Sequence, residues 1–174
     1  MQSIILIGYR CTGKTGTAKK IAARLNLPVY DSDSIIQQKI NRSIADIFAQ
    51  DGEEAFRDIE ENVIDEIVQK SPPPFILSTG GGAVLREKNR WRLHNAGAVF
   101  WLKAEPETIL NRLEKDKKNK TQRPSLTNLP ALEEIETLLK KRNPLYAETA
   151  HETVDTDDRS ASEIIKTILG KLAP

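Results

Sequence analysis

Cysteine occurs once in this chain of 174 residues, at Cys11, and histidine twice, at His94 and His151. A single thiol excludes any internal disulfide framework, and one Cys with two His cannot assemble a zinc site. The chain therefore reads as a protein of a reducing compartment. A charge excess is missing too. Against 26 Lys and Arg stand 25 Asp and Glu, a formal net charge of +1, so the basic footprint of a nucleic-acid binder is absent. No apolar run approaches the roughly 20 residues of a membrane span. The N-terminal apolar run is too short for a secretory signal and lacks a basic flank. These absences predict a cytoplasmic protein, a monomer by default, with neither a nucleic-acid nor a membrane partner. The length predicts one domain, residues 1–174, with room for a sizeable core.

The most informative stretch that is present is Gly8-Tyr9-Arg10-Cys11-Thr12-Gly13-Lys14-Thr15, directly behind the apolar run Ile4-Ile5-Leu6-Ile7. It fits the phosphate-loop pattern, which chance would produce in about 1 of 200 chains of this length. Glycines let the backbone curl so that successive N–H groups face a polyphosphate. Lys14 is a compact cation for the outer phosphates, and Thr15 offers a hydroxyl to Mg²⁺. A helix starting near Lys14 aims the positive end of its dipole at the same anion. The alternative, an ordinary strand–turn–helix with fortuitous glycines, is disfavoured by the buried-strand pattern before the match and the helical pattern from Gly16 to Leu25 after it.

Five short apolar segments read as strands: residues 3–7, a segment beginning at Pro28 and ending in Asp31-Ser32-Asp33, and residues 75–79, 98–102 and 152–156. Helical patterns separate them. One spans about Ser34 to Ile40, a short one runs from Arg42 to Phe48, and a longer one covers Asp51 to Gln69 with Phe56, Ile59, Val63 and Ile67 as its apolar stripe. Ser71-Pro72-Pro73-Pro74 stops it. Others follow at about Arg86 to Asn95, Pro106 to Leu113, Ala131 to Lys141 and Ala161 to Leu172. Strands alternating with helices predict a three-layer α/β/α fold around a central five-stranded parallel sheet. In such sheets ligands lie beyond the carboxyl ends of the strands. There the sequence puts Asp31 and Asp33 after the second strand and Gly80-Gly81-Gly82 after the third. Arg57 sits one residue off its apolar stripe and can border a cleft. From Lys115 to Pro130 the periodicity collapses, the pattern of a solvated loop or of a functional lid.

Taken singly, several residues have plain structural readings. Asp33 can cap a helix, Arg57 can pair with Glu60, and Arg142 can be a helix-end charge. Together, however, the phosphate loop, Asp31-Ser32-Asp33, the stretch from Arg42 through Phe48 to Gly52-Glu53-Phe56-Arg57-Glu60, Ser78-Thr79-Gly80-Gly81-Gly82-Ala83, Arg123-Pro124 and Arg142-Pro144-Leu145-Tyr146 resemble one family over most of the chain. It is the shikimate kinases, within the nucleoside-monophosphate-kinase-like phosphate-loop proteins. The resemblance implies a kinase fold with a substrate-binding helical segment at about 33–60 and a mobile lid at about 115–130. It implies transfer of the γ-phosphoryl group of ATP to the 3-hydroxyl of shikimate, with Mg²⁺, in aromatic amino acid biosynthesis.

On that resemblance, Gly8, Cys11, Thr12, Gly13, Lys14, Thr15 and Gly16 hold the nucleotide, and Arg112 stacks on its base. Thr15 and Asp31 hold Mg²⁺. Asp33 takes the shikimate hydroxyls and helps accept the proton of the attacking one. Arg57 and Arg142 clamp the shikimate carboxylate, Gly80, Gly81 and Gly82 line the pocket, and Arg123 arrives with the closing lid. Lys14, Asp33 and Arg123 are the implied catalytic residues. Two positions depart from the pattern. Cys11 stands where many relatives carry Gly or Ala, and is expected to pack as a small apolar group, with a reactive thiol beside the phosphates as the alternative. Ala161 stands where a proline sometimes faces Arg112. Trp91, Trp101, His94 and His151 form no recognisable constellation. The competing readings are a gluconate-type polyol-acid kinase and a nucleotide-binding module without turnover. The first lacks a reason for Asp33, Arg57, the triple glycine and Arg142 together, and the second predicts damage at Lys14, Thr15 or Asp33, all of which are present.

Overall fold

Residues 4–7 are apolar on both faces of the pleat, and all four are fully buried in the strand β1 (Ser3–Ile7). A strand buried on both sides needs helices above and below it, and the computed structural model, which describes residues 1–116 and 129–172, has that arrangement. Behind β1 follow α1 (Lys14–Leu25), β2 (Val29–Asp31), α2 (Ser32–Ile40), α3 (Ile44–Lys70) and β3 (Ile76–Ser78). A 3₁₀ turn (Ala83–Leu85) leads to α4 (Glu87–Ala96), β4 (Gly97–Lys103) and α5 (Pro106–Lys115). The chain ends in α6 (Ala131–Thr149), β5 (Glu152–Asp155) and α7 (Ala161–Leu172). No helix among the described residues is long and apolar enough to cross a membrane.

All strand pairs are parallel, in the order β2-β3-β1-β4-β5. The chain builds outward from β1 on one side with β2 and β3, then crosses to the other for β4 and β5. The carboxyl end of β1 therefore lies at the reversal of strand order, where open α/β sheets hold ligands. Alternation along β1 sorts the core into two layers. Ile5 and Ile7 join Leu77, Val99 and Trp101 against α3 and α4. Ile4 and Leu6 join Ile76, Phe100 and Leu102 against Ala18 and Ile21 of α1 and Ile165 and Ile168 of α7. Each fully buried isoleucine contributes about 1.5–3 kcal/mol. The three-layer fold with a five-stranded parallel sheet is as the sequence pattern predicts.

Three element boundaries differ from the expectation. α2 starts two residues early, because Asp31 rather than Asp33 is its N-cap: the Asp31 carboxylate accepts from Ser34 N at 3.0 Å. The two helices predicted over 42–69 are contiguous and meet at Gly52, whose φ of 84° breaks the helical path. α6 runs on to Thr149 through Pro144 instead of ending near Lys141. Proline removes the hydrogen bond to the carbonyl four residues back and crowds that carbonyl with its ring. That carbonyl belongs to Lys140, on the exposed face, where water can serve it. Arg142 is thus inside a helix and is no end charge.

Candidate active site

The turn after β1 is tight enough to need glycine at its start. Gly8 has φ 140°, and a Cβ there would sit 2.4 Å from the Leu102 carbonyl oxygen. The loop holds itself together: Thr12 Oγ1 donates to Tyr9 O at 2.9 Å. Lys14 is buried and folded over the loop, its ammonium donating to Gly8 O at 2.8 Å and Tyr9 O at 2.7 Å. Gly13 caps α1 with no side-chain hydrogen bond, which leaves the first helical N–H groups to face an anion. Thr15 Oγ1 donates to Asp31 Oδ2 at 2.7 Å and lies 3.3 Å from Ser78 Oγ. Burial would raise the Asp31 pKa, but the hydrogen bonds from Thr15 and Ser34 outweigh it and hold the carboxyl below its ordinary value. An ionised carboxylate beside a hydroxyl is a hard oxygen pair of the kind Mg²⁺ takes together with waters and phosphate oxygens.

Gly13, Lys14, Thr15, Gly16 and Asp31 line a cleft of about 620 Å³, and Cys11 stands at its wall. Cys11 is half-buried and has φ 63°. Arg112 reaches the same loop from α5. Its guanidinium donates to Thr156 Oγ1 at 2.9 Å, Thr156 O at 2.6 Å and Cys11 O at 3.4 Å, so it is pinned across the loop's outer side.

A second cleft, about 550 Å³, adjoins the first, and Asp33 borders both. Arg57, Gly80, Gly81, Gly82 and Arg142 line it with Asp33. The sequence drew these residues from α2, α3, the turn after β3 and α6, and the fold brings them to one place. Arg57 is 5% exposed. Its guanidinium donates to Glu60 Oε2 at 2.7 Å and to Glu53 Oε1 at 3.1 Å, and lies over Phe56 at 5.1 Å. The pairing reading of Arg57 and the cleft reading thus both hold. Burial alone would lower the Arg57 pKa, yet Glu60 and Glu53 raise it above its ordinary value, so the cation is secure. Glu60, 1% exposed, is pushed up by burial and by Asp33 while Arg57 pulls the other way.

Glycine is needed where Arg57 meets the turn. A Cβ on Gly82 would lie 2.3 Å from Arg57 Nη1, and one on Gly80 would lie 2.5 Å from Asp33 Oδ1. Gly80 N donates to Ser32 Oγ at 2.9 Å. The buried Tyr146 hydroxyl, its pKa raised by burial and hence neutral, donates to Gly81 O at 2.5 Å, and Arg142 Nη1 lies 3.5 Å from the same oxygen.

Several residues of these clefts escaped the sequence reading. Tyr9, Arg10, Ile44, Phe48 and Phe56 line the second cleft, and Glu134 holds Arg10 at 2.8 Å across 124 residues. Glu60 stood as a helical partner of Arg57 and as part of the family pattern, with no role of its own in the site. A buried acid one turn along an amphipathic helix was a usable signal for it, whereas the Arg10–Glu134 contact had none. The two histidines, for which the sequence offered no functional constellation, meet outside the site. His94 and His151 stack with ring centroids 4.1 Å apart, away from both clefts, because β5 returns beside β4. Arg123 and most of the predicted lid, residues 117–128, lie outside the described residues; Asp116 borders the phosphate cleft.

Comparison with known proteins agrees with this geometry. The family model described as shikimate kinase matches residues 10–173. A shikimate kinase of Rhodopirellula baltica is 39% identical over 173 residues, covering 99% of this chain and 91% of that one. One of Paracidovorax citrulli is 44% identical over 149 residues, covering 86% and 79%. Among solved structures, the shikimate kinase from Acinetobacter baumannii in complex with shikimate superposes with a TM-score of 0.90 at 34% identity, over 99% of this chain and 93% of that one. With the family model spanning nearly the whole chain and relatives of 39% and 44% identity covering most of it, the chain belongs to the shikimate kinase family.

Proposed function

We propose that this chain transfers the γ-phosphoryl group of ATP to the 3-hydroxyl of shikimate, giving shikimate 3-phosphate and ADP. The observation that carries the reading is the position of Asp33, which borders the phosphate-loop cleft on one side and the arginine-flanked cleft on the other. A group held between a polyphosphate and a carboxylated polyol is where a transferring phosphoryl passes.

The roles follow from the contacts. The loop N–H groups and Lys14 hold the β- and γ-phosphates, with Lys14 exchanging its carbonyl partners for phosphate oxygens. Arg57 and Arg142 take the substrate carboxylate, for which a planar guanidinium has matching geometry. Asp33 binds hydroxyls and accepts the proton of the attacking one. Glu60 keeps Arg57 in place, and the triple glycine lets backbone close around the substrate. Thr15 and Asp31 would hold Mg²⁺, which supplies charge neutralisation at the phosphates. Arg112 flanks the nucleotide, and Arg123, which lies outside the described residues, would add cationic stabilisation worth about 10³–10⁵ in rate in related chemistry. Movement of residues 34–60 over shikimate helps to exclude water. The described residues of both clefts come from this one chain, which supports a site complete within a single domain.

The test is an ADP-release assay with shikimate, gluconate and nucleoside monophosphates side by side. Shikimate-dependent release is expected. Turnover of gluconate without shikimate, or ATP binding with no acceptor turnover, would overturn the proposal.

A further inference from the structure

Arg10 occupies a phosphate-loop position at which the motif itself asks for no particular residue. Its guanidinium nonetheless reaches Glu134 in the first turn of α6, Nη2 to Oε1 2.8 Å, with the two side chains only 12% and 2% exposed. A carboxylate so sequestered is costly to bury, and an ion pair of this kind adds little net stability over an apolar contact. Its effect is on geometry. Glu134, Ile135, Leu139, Arg142 and Tyr146 form the buried stripe of α6. About 12 Å further along the helix axis, that stripe meets the glycine turn, where Tyr146 and Arg142 converge on Gly81 O. Gly81 in turn packs on the phosphate loop, its Cβ position 3.3 Å from Arg10 N and 3.4 Å from Gly8 O. Arg10 and Arg142 both lie over the Tyr9 ring, at 5.6 and 5.7 Å. α6 is therefore docked on the phosphate loop at two points, one ionic and one through Gly81.

We propose that the Arg10–Glu134 ion pair is a positioning device for the acceptor: it fixes α6 on the phosphate loop in the register that places the Arg142 guanidinium at the acceptor cleft. The inference rests on the proposed function only in naming that acceptor a carboxylate. It ties the donor side to the acceptor side, because displacement of the loop at Arg10 is passed through one rigid helix to Arg142. Both Arg10 and Glu134 act through Arg142 and are positioning residues.

The experiment is a double-mutant cycle of Arg10→Met, Glu134→Gln and the double variant, with Arg10→Lys as the charge-conserving control. Each single change is expected to raise the shikimate KM about tenfold with kcat altered by less than about threefold, and the double variant to be no worse than the poorer single one. Arg10→Lys retains most of the parent KM. Amide exchange over residues 134–142 in the ligand-free protein should quicken about tenfold in both single variants. A KM effect in Arg10→Met alone would make Arg10 a direct substrate contact and overturn the proposal. A lower KM in Glu134→Gln, additive losses in the double variant, or unchanged exchange would do the same. Exchange needs no acceptor. A parent protein inert toward shikimate would thus sink the proposed function and leave the ion pair to be judged separately.

Discussion

Replacing Gly82 by alanine adds one methyl group at the point where the glycine turn faces Arg57. The backbone of Gly82, at φ −96° and ψ 0°, accepts alanine without strain, so any effect comes from the methyl itself. It would stand 2.3 Å from Nη1, 2.4 Å from Nη2 and 2.5 Å from Cζ, against an ordinary contact of 3.4 Å or more. The guanidinium must therefore retreat by about 1 Å, a shift comparable with the difference between a good hydrogen bond and none. Arg57 has little room for it: Glu60 holds it at 2.7 Å, Glu53 at 3.1 Å, and Phe56 lies under it. Losing one charge-assisted hydrogen bond to the substrate carboxylate costs about 1.5–3 kcal/mol. At 1.4 kcal/mol per decade this is about a 10- to 150-fold rise in the shikimate KM. Gly82 does not line the phosphate cleft, so the ATP KM should stay within about twofold of the parent. Steady-state kinetics with each substrate varied at saturating levels of the other reads both numbers. An unchanged shikimate KM in a folded Gly82→Ala protein would refute the assignment of Arg57 to the carboxylate.

Asp33→Asn should lower kcat by about 10²–10⁴ while ATP affinity, read by calorimetry, stays near the parent; a large loss of ATP binding would assign that acid to the nucleotide instead. Arg142→Lys keeps the charge but not the fork, and should raise the shikimate KM about tenfold, whereas an unchanged KM would remove Arg142 from the clamp. Burial and the neighbouring His94 hold the His151 pKa below its ordinary 6.5, and His151 Nδ1 accepts from Val99 N at 3.1 Å. A group whose folded pKa is depressed contributes stability above its unfolded pKa and loses it as pH falls. Urea titrations at pH 7.5 and 5.5 should therefore show a drop in stability that is smaller in His151→Asn; equal drops in the two proteins would exclude the histidine pair as its source.

Much of the fold was legible because its signals are local. The unbroken apolar run of β1, glycine spacing after it and the three prolines after α3 each depend on neighbours in the chain. Where a local signal misled, a nonlocal term had overridden it. Pro144 reads as a helix stop, yet α6 continues because Leu139, Arg142 and Tyr146 must reach one buried face, while Lys140, whose carbonyl loses its partner, is an exposed residue. Asp33 reads as an N-cap, but Asp31 caps α2 and leaves Asp33 to the clefts.

The sequence by itself determined the phosphate grip, the parallel sheet and the set of acids, arginines and glycines that recur together in one family, because motif chemistry and periodicity are properties of short stretches. Tertiary structure alone decided that Asp33 stands between two clefts, that Gly80 and Gly82 leave room for Asp33 and Arg57 rather than merely turning the chain, and that Arg10 meets Glu134. The His94–His151 stack belongs with these. Each is a contact between residues tens to more than a hundred positions apart. It arises from how helices dock on the sheet, and no spacing along the chain encodes that distance.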